Sequence, residues 1–229
     1  MNAATQLLTV PGPIGAIDVA LDLPGAGGGA APANGANTGS VSAIAIIAHP
    51  HPLFGGTRDN KVVQTIARAL LQAGCACWRP NFRGIGGTTG QFDEGRGETA
   101  DLLAVIEYAA THESASALSA PMRLYLAGFS FGSFVQATVA QRIDPARFEL
   151  APMILVGTAA SRFEVPPVAE SAIVIHGEVD DVVPLQAVMD WARPQGLPIT
   201  VIPGSGHFFH GQLNRVKAVI LRNLGVSNA

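Results

Sequence analysis

The chain has 229 residues, 48% of them hydrophobic and 14% charged, with a formal net charge of −3. That is enough chain for one sizeable core, and the composition is globular, not disordered. A mildly acidic balance argues against a nucleic acid or an anionic membrane as partner, since both select clustered Lys and Arg. No apolar run reaches membrane-spanning length. No Lys or Arg precedes Arg58, so no basic targeting start is visible. The expectation is a single domain over 1–229, soluble and cytoplasmic.

In chain order, residues 6–22 predict two short strands around a Pro/Gly turn. Residues 24–40 are rich in Gly, Ala, Pro and Asn, bury little, and are expected as a mobile surface loop. The run 41–48, V-S-A-I-A-I-I-A, is apolar throughout, as a strand buried on both faces requires. In 59–73, Val62, Val63, Ile66, Leu70 and Leu71 recur at helical spacing, and Gly74 is the stop. Residues 75–79 predict a short strand with Cys75 and Cys77 on one face. They read as small buried hydrophobes, not as a disulfide framework or a metal site.

A glycine-dense loop follows at 81–97, then a helix over 98–112. Strands at 123–127, 153–156, 172–175 and 199–202 are separated or followed by helices at about 132–142, 184–193 and 211–224. Pro184 opens the second of these helices and Gly225 stops the third. Such alternation predicts an α/β class, with a mostly parallel central sheet and helices on both faces.

In open sheets of this kind ligands bind beyond the carboxyl ends of the strands. The 41–48 strand ends on His49-Pro50-His51-Pro52-Leu53-Phe54-Gly55-Gly56, and the 123–127 strand on G-F-S-F-G around Ser130. The 172–175 strand ends on H-G-E-V-D-D, and the last strand on G-S-G-H-F-F-H. Ser130, Asp180 and His207 therefore arrive at one rim, in the chain order of a nucleophile elbow followed by its acid and base. A serine hydroxyl needs a base to take its proton, and an imidazole gains and loses one near neutral pH. Asp180 would fix the tautomer of His207 and stabilise its charged form. Gly128 and Gly132 would let strand and helix backbones pass closely at the turn. The Phe131 N–H is one expected oxyanion donor. The other must come from the loop after residue 48, where Pro50 and Pro52 have no N–H; that leaves His51 or Leu53, with His51 preferred.

G-F-S-F-G, the order Ser–Asp–His and H-G-E-V-D-D-V-V-P together resemble the α/β-hydrolase superfamily. The segment H-P-H-P-L-F-G-G-T-R-D-N-K-V-V, with N-F-R-G at 81–84 and G-H-F-F-H at 206–210, resembles one subgroup. These are small capless bacterial hydrolases, distantly similar to dienelactone hydrolases. The resemblance spans about 41–224 and implies an α/β-hydrolase fold without a cap and a serine hydrolase, a carboxylesterase foremost. Two departures stand out: the usual His-Gly of the oxyanion loop is His49-Pro50 here, and the nucleophile is Ser where dienelactone hydrolases use Cys.

Rival readings exist for most of these residues. Asp181 competes with Asp180, its other use being to cap the helix near Pro184. His210 competes with His207 and would otherwise begin the last helix or support the loop. Glu164 is the one acid close after the 153–156 strand. His49, His51, His207 and His210 carry no zinc spacing, so neither metal nor cofactor is expected. Arg83 is expected to pin its own loop through Asp93 or Glu94 rather than hold a substrate carboxylate. Phe54, Phe131 and Phe208 are the expected pocket lining. Phe129 and Phe209 are further candidates for it, and the other reading of Phe129 packs it beneath the elbow. Only residues 157–171 separate the 153–156 strand from the acid strand, too few for a cap, so the site should be open with specificity set by short loops. The expected partner is a small soluble ester or thioester. The alternatives are a catalytically silent ligand- or partner-binding protein and an acyltransferase. The oligomeric state is left open, a homodimer included.

Overall fold

A computed structural model describes residues 5–25 and 41–226. Most of the loop expected at 24–40 lies outside the described residues. β1 (Gln6–Gly12) and β2 (Gly15–Asp22) form an antiparallel hairpin around the expected turn. Then follow β3 (Ala43–Ala48), α1 (Lys61–Gln72), β4 (Cys75–Pro80), α2 (Arg96–Thr111), β5 (Met122–Phe129) and α3 (Phe131–Ala140). The chain continues through β6 (Phe148–Leu150), β7 (Ile154–Val156), β8 (Ile173–Gly177), α4 (Leu185–Ala192), β9 (Ile199–Ile202) and α5 (Leu213–Asn223).

The nine strands of the described residues join one sheet in the order β1-β2-β4-β3-β5-β7-β8-β9, with β6 beside the start of β5. Every pairing from β3 onward is parallel. The strand order places the site. From β3 the chain steps outward to β4, then returns to the other side of β3 and proceeds through β5, β7, β8 and β9. The direction reverses between β3 and β5, and the crevice outside such a reversal is where open α/β sheets bind ligands. There Ala48 pairs with Gly128, so the loop after β3 and the elbow after β5 emerge side by side.

The alternation of side chains along each strand divides the core in two. Ala43, Ala45 and Ile47 of β3 and Tyr125, Ala127 and Phe129 of β5 pack under α1 and α5, with Ile66, Leu70, Val216 and Ile220. Ile44, Ile46, Leu124 and Leu126 face the other way, toward Leu102, Val105 and Ile106 of α2 and Val135 and Val139 of α3. Cys75 and Cys77 are unpaired and buried on one face of β4. Burial pushes the Cys75 thiol up to about 12, so it behaves as a small apolar side chain.

Three differences from the expected elements have local causes. The strand β6 has only Phe148 buried, too little for an apolar pattern to register. The helix α2 begins at Arg96, two residues early, because Glu98 reaches back to accept the N–H groups of Asp93 and Gly95 at 2.8 Å each. The last helix begins at Leu213, not 211, because Phe209 and Gly211 take positive φ values of 51° and 71° that a helix does not admit. Among the described residues no helix is long and apolar enough to cross a membrane.

Candidate active site

The turn between β5 and α3 is built by close backbone approach. A Cβ on Gly128 would lie 2.4 Å from the carbonyl carbon of Gly132, and one on Gly132 would lie 2.4 Å from the Ala48 oxygen. Only glycine fits at either place. Ser130 between them has φ 55° and ψ −119°, a conformation that costs a non-glycine residue about 1–3 kcal/mol. The surroundings hold it there: the Ser130 N–H donates to the Val156 carbonyl at 2.8 Å, and the Ser133 N–H to the Ser130 carbonyl at 2.9 Å. The Ser133 hydroxyl ties back to the Gly128 carbonyl at 2.8 Å.

His207 leaves the end of β9 and brings Nε2 to 3.0 Å from the Ser130 Oγ. Its Nδ1 lies 2.7 Å from Oδ2 of Asp180, in the turn after β8. The polarity of this chain is set at its acid end: a carboxylate only accepts, so Nδ1 carries the proton and Nε2 is free to accept from the serine. The other oxygen of Asp180, Oδ1, accepts the N–H groups of Val182 at 2.9 Å and Val183 at 2.8 Å. Burial alone would raise the Asp180 carboxyl. The hydrogen bonds from His207 and the Val183 N–H, with the nearby imidazoles, outweigh it and hold the group below its usual range. Phe129 lies under the His207 ring at 4.9 Å, and Phe208 meets it edge-on at 5.1 Å.

The two candidate donors of the oxyanion loop differ. The Leu53 N–H is already given to His51 Nδ1 at 3.3 Å, whereas no acceptor among the described residues takes the His51 N–H. Phe131 opens α3, so its N–H has no acceptor within the helix. His49, at the root of the same loop, is fully buried. Its Nε2 accepts the Phe82 N–H at 2.8 Å and its Nδ1 donates to the Pro50 carbonyl at 2.6 Å. Burial lowers its proton affinity to a pKa of about 4. His49 is therefore a neutral tie between the loop after β3 and the segment after β4.

Several expectations need correction. The Phe131 ring, expected in the pocket lining, is 1% exposed and sits in the core beneath His51 and Phe92. Phe209 is likewise in the core, among the side chains under α1 and α5. Phe54 and Phe208, 74% and 44% exposed, do stand at the surface. Asp181 is exposed and caps nothing; α4 follows Pro184 with no side-chain cap, and Asp180 binds the free N–H groups of that turn. His210 is exposed and lies three residues before α5, so it does not begin that helix. Glu164 is exposed. Arg83 does pin its loop, but to Asp101, with contacts of 2.9 and 2.8 Å, and to the Gly97 carbonyl. Asp93 and Glu94 pair with Arg96 instead. Among the described residues no three His, Cys, Asp or Glu side chains gather as a metal site.

Three residues of the site escaped the sequence reading. Phe92 and Phe163 pack on His51 at 4.5 and 6.2 Å, and Phe163 also stacks on Phe134 at 4.7 Å. The third is His176, the histidine of β8, quoted within H-G-E-V-D-D without a role, whose Nε2 lies 3.4 Å from Asp180 Oδ2. Its position four residues before the acid was the available signal.

No protein-family model matches the chain. A Xanthomonas campestris protein described as an α/β serine hydrolase without a lid is 33% identical. It covers 98% of this chain and 95% of its own, with a TM-score of 0.80. An α/β serine hydrolase homologue from Coxiella burnetii is also 33% identical, covers 98% of each chain and has a TM-score of 0.76. An uncharacterized protein of Rickettsia prowazekii is 30% identical over 176 residues, 72% of this chain and 71% of that one.

Proposed function

The chain belongs to the α/β serine hydrolases without a lid, and from there we propose that it is a carboxylesterase acting on small esters through an acyl-enzyme on Ser130. The observation that carries this reading is the continuous chain from Asp180 to His207 to Ser130, at 2.7 and 3.0 Å. It ends on a serine held in a strained turn at a helix start.

In the first half-reaction Ser130 Oγ attacks the ester carbonyl while its proton passes to His207 Nε2. Asp180 keeps the ring oriented and stabilises the imidazolium. The negative charge that develops on the carbonyl oxygen is received by the N–H groups of Phe131 and His51. Collapse of the tetrahedral species expels the alcohol, which takes the proton back from His207. A water then attacks the acyl group, again giving its proton to His207, and releases the acid and Ser130.

The substrate reading follows from what surrounds the triad. Leu53 and Phe54 belong to the loop after β3, Val179 precedes the acid, and Phe208 follows the base; all four are exposed apolar side chains. The segment between β7 and β8 adds no cap, and its Phe163 packs down on His51 and Phe134. Such a rim suits a small apolar acyl or alcohol group reached from solvent.

Purified protein is expected to react with a fluorophosphonate probe and to turn over p-nitrophenyl acetate, and Ser130→Ala to lose both. Labelling of Ser130→Ala equal to wild type would overturn the assignment. A folded wild-type protein that neither labels nor hydrolyses would instead be a silent binding protein.

A further inference from the structure

His176 is completely buried at the end of β8, one residue before the turn that carries the acid. Its Nε2 faces two oxygens, the Val183 carbonyl at 2.9 Å and Asp180 Oδ2 at 3.4 Å. Neither a carbonyl nor an ionised carboxylate donates, so the proton of His176 sits on Nε2. Its Nδ1 is buried with no partner. A second proton there would be an unpartnered buried charge, so the ring stays neutral.

Asp180 Oδ2 thus accepts one imidazole N–H, from His207, and has the His176 Nε2 3.4 Å away with its N–H given to the Val183 carbonyl, while Oδ1 accepts two backbone N–H groups. We propose that His176 is a positioning residue of the catalytic site: a permanently neutral imidazole whose N–H, held by the Val183 carbonyl, keeps the positive end of its dipole beside the Asp180 carboxylate and tempers its pull on the His207 proton. It touches neither substrate nor Ser130 and acts through Asp180 alone. The idea rests on the triad reading above.

The sign follows from the donor's polarity. Removing the His176 N–H leaves Asp180 a stronger acceptor and removes the positive end of a dipole from the vicinity of His207. Both changes favour the imidazolium. The titratable groups that reach His207 are Asp180, His176 and Ser130. Its other neighbours, Phe129, Phe208 and the Gly157 backbone, carry no charge, and His210 lies beyond Phe208.

The test compares His176→Phe and His176→Asn, neither of which places a donor near Oδ2, with His176→Gln, whose amide N–H extends toward the old Nε2 position. The readouts are the His207 titration by NMR of its ring protons and the acid limb of kcat/KM for p-nitrophenyl acetate. In the folded donor-less variants His207 is expected to titrate about half a pH unit higher, a threefold change in proton affinity. The acid limb should move with it, and His176→Gln should restore both. An unchanged or lowered titration in either donor-less variant would overturn the proposal and leave His176 a plain tie for the Val183 carbonyl. Because the NMR titration needs no turnover, it separates this outcome from failure of the esterase reading, which would appear as absent hydrolysis in the wild type.

Discussion

The turn after β5 is held by crowding, and the turn after β8 chiefly by hydrogen bonds. At the first, the backbone of Gly128 lies against Gly132, and Gly132 against the end of β3, so a single methyl group has no room. At the second, Gly177 is also crowded, 2.4 Å from the Ser205 carbonyl for an added Cβ. The orientation of Asp180, however, comes from three N–H groups, two of the turn and one of His207, with His176 beside them at 3.4 Å. Crowding prescribes a residue type at a fixed position. Hydrogen bonding prescribes only that donors be within reach, and backbone N–H groups of any residue serve. The first kind of constraint is therefore written in the sequence, and the second is not.

The sharpest way to break this contrast is at the acid. Asp180→Asn keeps the shape of the turn but reverses the polarity offered to His207. It is expected to lower kcat for p-nitrophenyl acetate on the order of 10⁴-fold, while Asp181→Asn, at an exposed side chain, stays within about twofold. The reverse ranking would show that the hydrogen bonds to Asp180 do not mark the catalytic carboxylate.

At the elbow the effect falls on folding. Gly132→Ala drives a methyl group into the Ala48 carbonyl and is expected to cost about 3 kcal/mol or more in denaturant unfolding. Ser133→Ala, which removes the hydroxyl tie to Gly128, is expected to cost about 1 kcal/mol. Equal costs would mean that polar ties, not crowding, hold the elbow.

The buried histidines add a pH dependence. His49 is pushed down to about 4 in the folded chain from an ordinary value of 6.5, so between those limits the unfolded chain binds the extra proton. Stability is then full above about 6.5 and falls by up to roughly 3 kcal/mol as pH drops toward 4. His176, lowered by burial against the raising effects of Val183 and Asp180, acts in the same direction. Unfolding measured from pH 7 to 4 should show this loss, and His49→Gln should flatten it. An unchanged slope in that variant would remove His49 from the account.

The smallest effect belongs to the rim. Phe54→Ala, at a side chain 74% exposed, is expected to leave stability within about 0.5 kcal/mol. It should raise KM a few-fold for esters of longer acyl groups.

Much of this site was legible before the fold. Ser130 between Gly128 and Gly132, and the arrival of Asp180 and His207 at later strand ends, follow from residue type and spacing. Arg83 shows the limit. Its role as a loop pin could be read, but its partner could not, because Asp101 is buried against it one turn inside α2 while the nearer Asp93 and Glu94 are taken by Arg96. Phe131 shows another: an aromatic beside a nucleophile has the same sequence signature whether it faces substrate or core, and packing under His51 and Phe92 sends it inward.

By itself the sequence determined the α/β alternation, the elbow and the order of its partners. These depend on local geometry: hydrophobic period, glycine where backbones cross, strand ends where loops begin. Only the tertiary structure decided which aspartate faces His207, which N–H of the loop after β3 is left without an acceptor, and that His176 stands beside Asp180. Each of those is a distance between chain segments brought together by the reversal of strand order beside β3, and such distances exist only once the sheet has formed.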